Sequence, residues 1–167
     1  MELRVRAAAA RDREAVLAVN AEGLPGVTPL SAAEVEACIE RAALFRVAER
    51  AGSLCGYLIA FAAGLREIGD EYAWFSARHA SFLYVDQVAV ASRAQRSGVG
   101  SALYGDLERE ARRQAIPRIV CEVNLRPPNP RSLAFHAARG FAEVGRMEVS
   151  DGRSVSLLSR ELAQSLK

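Results

Sequence analysis

Two hydrophobic periods alternate along the chain and predict a mixed α/β fold. Leu3-Arg4-Val5-Arg6-Ala7 alternates apolar and polar residues, the period of a half-buried strand, and Arg11 to Asn20 sets Ala15, Val16 and Val19 at helical spacing. Gly23-Leu24-Pro25-Gly26-Val27-Thr28-Pro29 reads as a loop from its Gly and Pro content. Ser31 with Glu34 at the capping-box distance opens a second helix to about Ala42. Leu44 to Glu49 and Leu54 to Ala62 are strand-like, and the short link Arg50-Ala51-Gly52-Ser53 predicts an antiparallel hairpin.

Residues 64 to 80 mix Gly, charges and the aromatics Tyr72, Trp74 and Phe75 without a sustained period, so they are expected to form a functional or covering loop. Phe82 to Val90 is almost continuously apolar, the signature of a central strand buried on both faces, and Asp86 and Gln87 interrupt it. From Gly98 to about Gln114 the stripe Val99, Leu103, Leu107, Ala111 marks an amphipathic helix, with Arg112 and Arg113 at the negative end of its dipole. Arg118 to Asn124 reads as a strand. Asn129-Pro130 caps and opens a helix that Gly140 ends, and Phe141 to Val149 with Val155 to Leu158 supply a last pair of strands.

Composition narrows the class of protein. A chain of 167 residues, half hydrophobic and a quarter charged, suits one globular domain with a core of its own. No apolar run reaches the ~18 residues of a membrane span, and the Met-Glu-Leu-Arg-Val-Arg start lacks a signal peptide's hydrophobic stretch, so a soluble cytoplasmic protein is expected. Cys38, Cys55 and Cys121 are odd in number and far apart in apolar surroundings, which points to reduced core residues and to neither a disulfide framework nor a metal cluster. Net charge is +2, with 20 carboxylates against 22 basic side chains, too balanced for the basic footprint of a nucleic-acid binder. Lys167 is the only lysine, a bias that with the abundant alanine fits a GC-rich coding genome.

Candidate chemistry is concentrated in Val88-Ala89-Val90-Ala91-Ser92-Arg93-Ala94-Gln95-Arg96-Ser97-Gly98-Val99-Gly100-Ser101, a buried strand, a polar turn and a glycine-rich entry into a helix. The first N–H groups of a helix lack internal partners and carry the positive end of its dipole, and missing side chains let a phosphate approach them. Arg96 adds charge on the rim. No Lys-Ser or Lys-Thr follows the glycines, which excludes a P-loop, and the third glycine of the dinucleotide fingerprint is missing. Taken alone, the turn fits either a phosphate-bearing ligand of another kind or close helix-to-strand packing.

In the order strand, Gln95-x-x-Gly98-x-Gly100, helix, strand, Asn129 through Gly140-Phe141, the chain resembles the GNAT superfamily of N-acetyltransferases. The resemblance covers the whole chain in element order and residues 82 to 145 in motif detail. It implies a central mixed, mostly antiparallel twisted sheet flanked by helices and splayed at its two central strands, with acetyl-CoA as the cofactor. The pantothenate arm would bond the backbone around Val88, Ala89 and Val90, and the pyrophosphate would lie on the amides of Gln95, Arg96, Ser97, Gly98, Val99, Gly100 and Ser101. Asn129 begins the second landmark, in which the family's Tyr, seven residues on and often proposed to protonate the leaving thiolate, is replaced by His136. A neutral imidazole still has one N–H to donate, so His136 either fills that role or packs beside the cofactor.

The amine must lose its proton before it attacks. Glu122 is the first candidate for that base, because Val120, Glu122 and Asn124 alternate onto one strand face and ribosomal-protein N-terminal acetyltransferases carry a similar Glu; Asp86 is the second. Acceptor selectivity is expected in Asn20 to Leu30 and in residues 64 to 80, where Tyr72, Trp74 and Phe75 either hold an amine or cover the sheet or a dimer interface. Glu67, Asp70 and Glu71 form a modest acidic group, and His79 reads as a surface loop residue. The expected activity is direct acetyl transfer to a primary amine of a small molecule, an amino acid or a peptide amino terminus, without a metal, nucleic acid or membrane, by a chain that could form a homodimer. The rival reading is a noncatalytic acyl-CoA-binding or sensing module; an RNA-binding accessory protein is weaker, since no aromatic-and-basic motif accompanies the Arg residues.

Overall fold

The structure, a computed structural model, describes residues 2–163. Its strands are β1 (Leu3–Ala7), β2 (Leu44–Arg50), β3 (Ser53–Ala62), β4 (Leu83–Val90), β5 (Arg118–Arg126), β6 (Ala142–Glu148) and β7 (Ser154–Glu161). Its α-helices are α1 (Arg13–Gly23), α2 (Ala32–Arg41), α3 (Asp70–Ser76), α4 (Val99–Arg113) and α5 (Pro130–Ala138). The seven strands form one sheet in the order β1-β2-β3-β4-β5-β7-β6. Pairing is antiparallel for β1 with β2, β2 with β3, β5 with β7 and β6 with β7, and parallel where Leu83 and Tyr84 of β4 face Ile119 and Val120 of β5. The chain divides into two compact units, Met1–Phe61 with Asp86–Glu110 and Ala62–Val85 with Ala111–Lys167.

In the first unit the local signals in the sequence act as expected. Ala51 and Gly52 both take positive φ, 55° and 74°, the backbone a two-residue turn needs to match strand twist, and they close the β2–β3 hairpin at Arg50↔Ser53. Ser31 Oγ accepts from Glu34 N at 3.1 Å while Glu34 Oε1 accepts from Ser31 N at 3.2 Å, which satisfies two donors at the start of α2. Arg6 forks onto Asp12 with two bonds of 2.8 Å and reaches Glu49 at 3.2 Å, tying β1 to the turn that leads into α1. Val99, Leu103 and Leu107 of α4 are buried. Gly56 of β3 permits this packing, since a Cβ there would lie 2.8 Å from Val99 Cγ1 and 3.0 Å from the Ala89 carbonyl oxygen. A bare position on β3 thereby sets the depth of the first turn of α4.

In the second unit Asn129 Oδ1 accepts from Ser132 N at 3.3 Å and Pro130 occupies the first turn of α5, as the sequence predicts. The segment 64 to 80 departs from expectation: it holds a two-turn helix, α3, where an irregular loop was predicted. Seven residues carry only one apolar repeat, Tyr72 to Phe75, too short for a period to show. The acidic pair Asp70 and Glu71 falls in its first turn, where a helix dipole favours negative charge. Trp74 packs over β6, where Gly145 leaves room; a Cβ there would lie 2.8 Å from the indole Cζ2.

Candidate active site

Within the first unit, β4 delivers Val88, Ala89 and Val90 to a turn that ends at the amino terminus of α4. Ala91 N–H donates to Cys55 O at 2.8 Å, anchoring the strand's end, and Ser92 N–H donates to Glu22 Oε2 at 2.6 Å. That amide, with the Ser92 hydroxyl, holds the Glu22 carboxyl below its ordinary range. Beyond it, Gln95, Arg96, Ser97 and Gly98 are exposed, and Arg96 and Gly98 take left-handed φ values of 62° and 85°. A Cβ added at Gly98 would meet no protein atom within 4 Å, so the backbone is open there to a close-approaching ligand. The first intrahelical bond of the turn, Ala102 N to Gly98 O at 3.0 Å, leaves the amides of Val99, Gly100 and Ser101 ahead of the helical ladder. Arg50 braces the turn from β2 by donating to Ser97 Oγ at 3.2 Å and Ser97 O at 3.3 Å, and Arg93 donates to Leu54 O at 2.7 Å. Open amides, left-handed backbone and a guanidinium fringe fit the phosphates of a nucleotide-type cofactor.

Asp86, two residues before Val88, is half-buried. Its charge adds to burial in pushing the Cys38 thiol up to about 11 and the Tyr57 phenol up to about 12, where an Asn20 hydrogen bond pulls the other way. All three cysteines are free thiols; Cys55 and Cys121 are buried and Cys38 is half-buried.

Within the second unit the structure places Glu122 in a pair that the sequence did not disclose. Tyr84 of β4 donates its hydroxyl to Glu122 Oε2 at 2.8 Å. The phenol is itself fixed: Tyr84 is 2% exposed, with Tyr72 edge-on at 5.5 Å and Phe75 tilted at 6.3 Å. A carboxylate that accepts from a buried, fixed phenol has one of its oxygens oriented, and an oriented carboxylate is a group of the type that accepts a proton. Asn124, on the same strand face, accepts from Arg153 Nη1 at 3.1 Å, and Arg153 also donates to Glu71 Oε1 at 3.0 Å and Asp151 Oδ2 at 2.7 Å. This second network joins the β6–β7 turn to α3.

Two expectations about side-chain roles are corrected here. Tyr72 and Phe75 offer no face to an acceptor, being 2% and 0% exposed; the Tyr72 hydroxyl donates to Ala62 O at 2.6 Å and accepts from Leu65 N at 3.0 Å. Trp74 is half-buried, with the Arg78 guanidinium 3.6 Å from its ring centre. His136 is 3% exposed, lies edge-on to Phe135 and Phe141, and sets Nδ1 2.7 Å from Ser132 O. A carbonyl oxygen only accepts, so Nδ1 carries the proton, and the neutral ring has no second N–H for a leaving thiolate. Burial lowers the His136 pKa, with the Arg139 charge in the same direction and the Ser132 bond opposing. Above about pH 6.5 the ring is neutral in folded and unfolded chains alike; below it the unfolded chain binds the proton first, so stability falls with pH down to the depressed folded value. The urea midpoint should therefore drop between about pH 7.5 and 5.5, with a shallower slope in His136→Phe; equal slopes would remove His136 from this linkage.

Among the described residues no group of three or more His, Cys, Asp or Glu could hold a metal ion, and no helix is long and apolar enough to cross a membrane.

The described residues form a seven-stranded, mostly antiparallel sheet with five α-helices and a glycine turn feeding α4, which places the chain in the mixed α/β class. The model of the GNAT acetyltransferase family matches residues 19–141, and the chain belongs to that family. No curated protein matches it. Solved structures are similar over nearly the whole chain. Ard1 from Thermoplasma volcanium has 20% identity and a TM-score of 0.80, covering 98% of this chain and 100% of its own. The ribosomal-protein-S18-alanine N-acetyltransferase from Escherichia coli has 16% identity and a TM-score of 0.75, covering 99% and 97%. The protein yncA from Salmonella typhimurium, solved with its cofactor acetyl-CoA, has 18% identity and a TM-score of 0.73, covering 100% and 98%.

Proposed function

We propose that this acetyltransferase uses acetyl-CoA to acetylate directly a primary amine of a small molecule, an amino acid or a peptide amino terminus. The observation that carries the reading is the Tyr84–Glu122 pair, a carboxylate oriented at 2.8 Å within a family whose members transfer acetyl groups. When bound, acetyl-CoA supplies the activated acyl group as a thioester. The backbone of Val88, Ala89 and Val90 would hold its pantothenate arm, and the amides of the 95 to 101 turn past Gln95, whose own N–H donates to Ser92 O at 3.4 Å, would hold its pyrophosphate with Arg96 on the rim. Glu122 accepts the amine proton, directly or through water, and Tyr84 fixes the accepting group. Asp86, half-buried on β4, stays second as a base. His136 and Asn129 shape α5 and act on the cofactor through packing. The segment 24 to 30 forms the acceptor's wall. The relatives' names support an amino-terminal acceptor, because one of them acts on a ribosomal-protein alanine.

Thiol release from acetyl-CoA should exceed the amine-free blank with at least one member of a panel of amino acids, polyamines, aminoglycosides and short peptides, and mass spectrometry should find the N-acetyl product. Tight CoA binding by calorimetry with no turnover across that panel would instead establish the noncatalytic acyl-CoA-binding module.

A further inference from the structure

Beneath the loop after α1 lies a buried polar cluster within the first unit that the proposed chemistry does not use. Asn20 and Gln87 are each 3% exposed and Tyr57 is 0% exposed. The Tyr57 hydroxyl donates to Gln87 Oε1 at 2.7 Å, and Asn20 Nδ2 donates to Tyr57 Oη at 3.0 Å, Gln87 Oε1 at 3.2 Å and Thr28 O at 3.0 Å. Gln87 Nε2 donates to Thr28 O at 2.9 Å and Thr28 Oγ1 at 3.0 Å, and Asn20 Oδ1 accepts from Leu30 N at 3.0 Å. Each amide side chain is thus divided: one part engages the core or its fellow amide, and the other grips the backbone of residues 28 and 30.

An apolar cluster of equal volume would join α1, β3 and β4 as well, without the cost of desolvating two amides and a phenol. What the polar set adds is a fixed conformation for an exposed segment that has no secondary structure of its own. Leu24, Pro25, Gly26, Thr28 and Pro29 are exposed, and no charged side chain occurs from Gly23 to Leu30. The same end of α1 is joined to the turn after β4 by Glu22 on Ser92 N at 2.6 Å, and it runs close to β4 at Gly23, where an added Cβ would lie 3.6 Å from Ala89 Cβ. Ser92 opens the proposed cofactor turn, so the segment is indexed to the strand that carries the cradle.

We infer that Gln87, with Asn20 and Tyr57, is a positioning residue that clamps the segment 24 to 30 and so sets the enzyme's affinity for its amine acceptor. The inference rests on the acetyltransferase reading for its acceptor half and on geometry alone for the clamp.

Two variants test it in the full chain. Gln87→Met keeps the side-chain length and removes every bond made by the amide, and Thr28→Val removes the single bond from Gln87 Nε2 to Oγ1 while the bond to Thr28 O remains. One lost hydrogen bond corresponds to roughly a 5-fold effect, and two or more to roughly 10- to 50-fold. Amide hydrogen exchange across residues 24 to 30 should quicken by about those factors in Thr28→Val and Gln87→Met. The acceptor KM, measured with the best amine of the panel, should rise in the same order, with kcat and the calorimetric CoA affinity changed less than about 2-fold. Unchanged exchange in both variants overturns the clamp. Faster exchange with an unchanged acceptor KM overturns the acceptor role. A wild-type protein that neither binds CoA nor releases thiol overturns the acetyltransferase reading and the acceptor half with it, and the exchange measurement still decides the clamp.

Discussion

Replacing Glu122 by Gln should lower kcat by about 10²- to 10⁴-fold, the usual contribution of a positioned general base, while CoA binds as before. The amide keeps the volume and still accepts from Tyr84 through its carbonyl oxygen, so the 2.8 Å contact survives while the proton-accepting function is lost. Tyr84→Phe should act more weakly, by roughly 10-fold on kcat, because the carboxylate stays and loses the phenol's hydrogen bond. The wild-type rate should rise with pH until base and amine are both deprotonated, and that dependence should flatten in Glu122→Gln. Stopped assays with a confirmed acceptor, paired with CoA calorimetry, separate a lost proton acceptor from a lost cofactor site. A Glu122→Gln enzyme with wild-type kcat would transfer the role to Asp86, whose substitution by Asn is the natural companion experiment.

His136 illustrates what residue type and spacing leave out. The sequence sets it where the family has a Tyr, and one N–H looks available for the leaving thiolate. The structure places that N–H on a carbonyl one helical turn back, at 2.7 Å, inside an aromatic bracket of Phe135 and Phe141. Nothing in residue type or spacing reports which acceptor a histidine proton has already found.

Local signals were legible for a physical reason: a capping box, a positive-φ turn and an amphipathic stripe are each complete within a few residues. The Ser31–Glu34 box, the Ala51-Gly52 turn and the Val99-Leu103-Leu107 stripe all appear where the pattern sets them. The networks were not legible. Tyr84 finds Glu122 38 positions away, Asn20 finds Gln87 67 away and Arg153 finds Glu71 82 away, distances over which no pairwise preference shows in a single chain. Gln87 left one faint trace, a polar residue inside an apolar strand, which called for a buried partner without naming it. The aromatics of α3 misled in the opposite sense. A helix of seven residues has two turns, so Tyr72 and Phe75 read as scattered aromatics in a loop when they are the helix's buried face.

Gly98→Ala should weaken CoA binding by about 10- to 100-fold, and Gly98→Asp should weaken it further, to the limit of calorimetric detection. The residue has φ 85° with open space where a Cβ would project, so a methyl there has no protein neighbour to displace and instead enters the volume a phosphate needs. Losing one charge-assisted hydrogen bond to a backbone amide accounts for about 1.5 to 3 kcal/mol, which is the 10- to 100-fold expected of Ala. Asp adds like-charge repulsion toward the pyrophosphate, and since Asp tolerates left-handed backbone at least as well as Ala, the difference between the two variants reports charge and not strain. Both variants should unfold within roughly 1 to 2 kcal/mol of wild type, the cost of a side chain in left-handed backbone at one exposed turn. If folded Gly98→Asp binds CoA as wild type does, the turn between β4 and α4 is a packing device and the cofactor must be held by other amides.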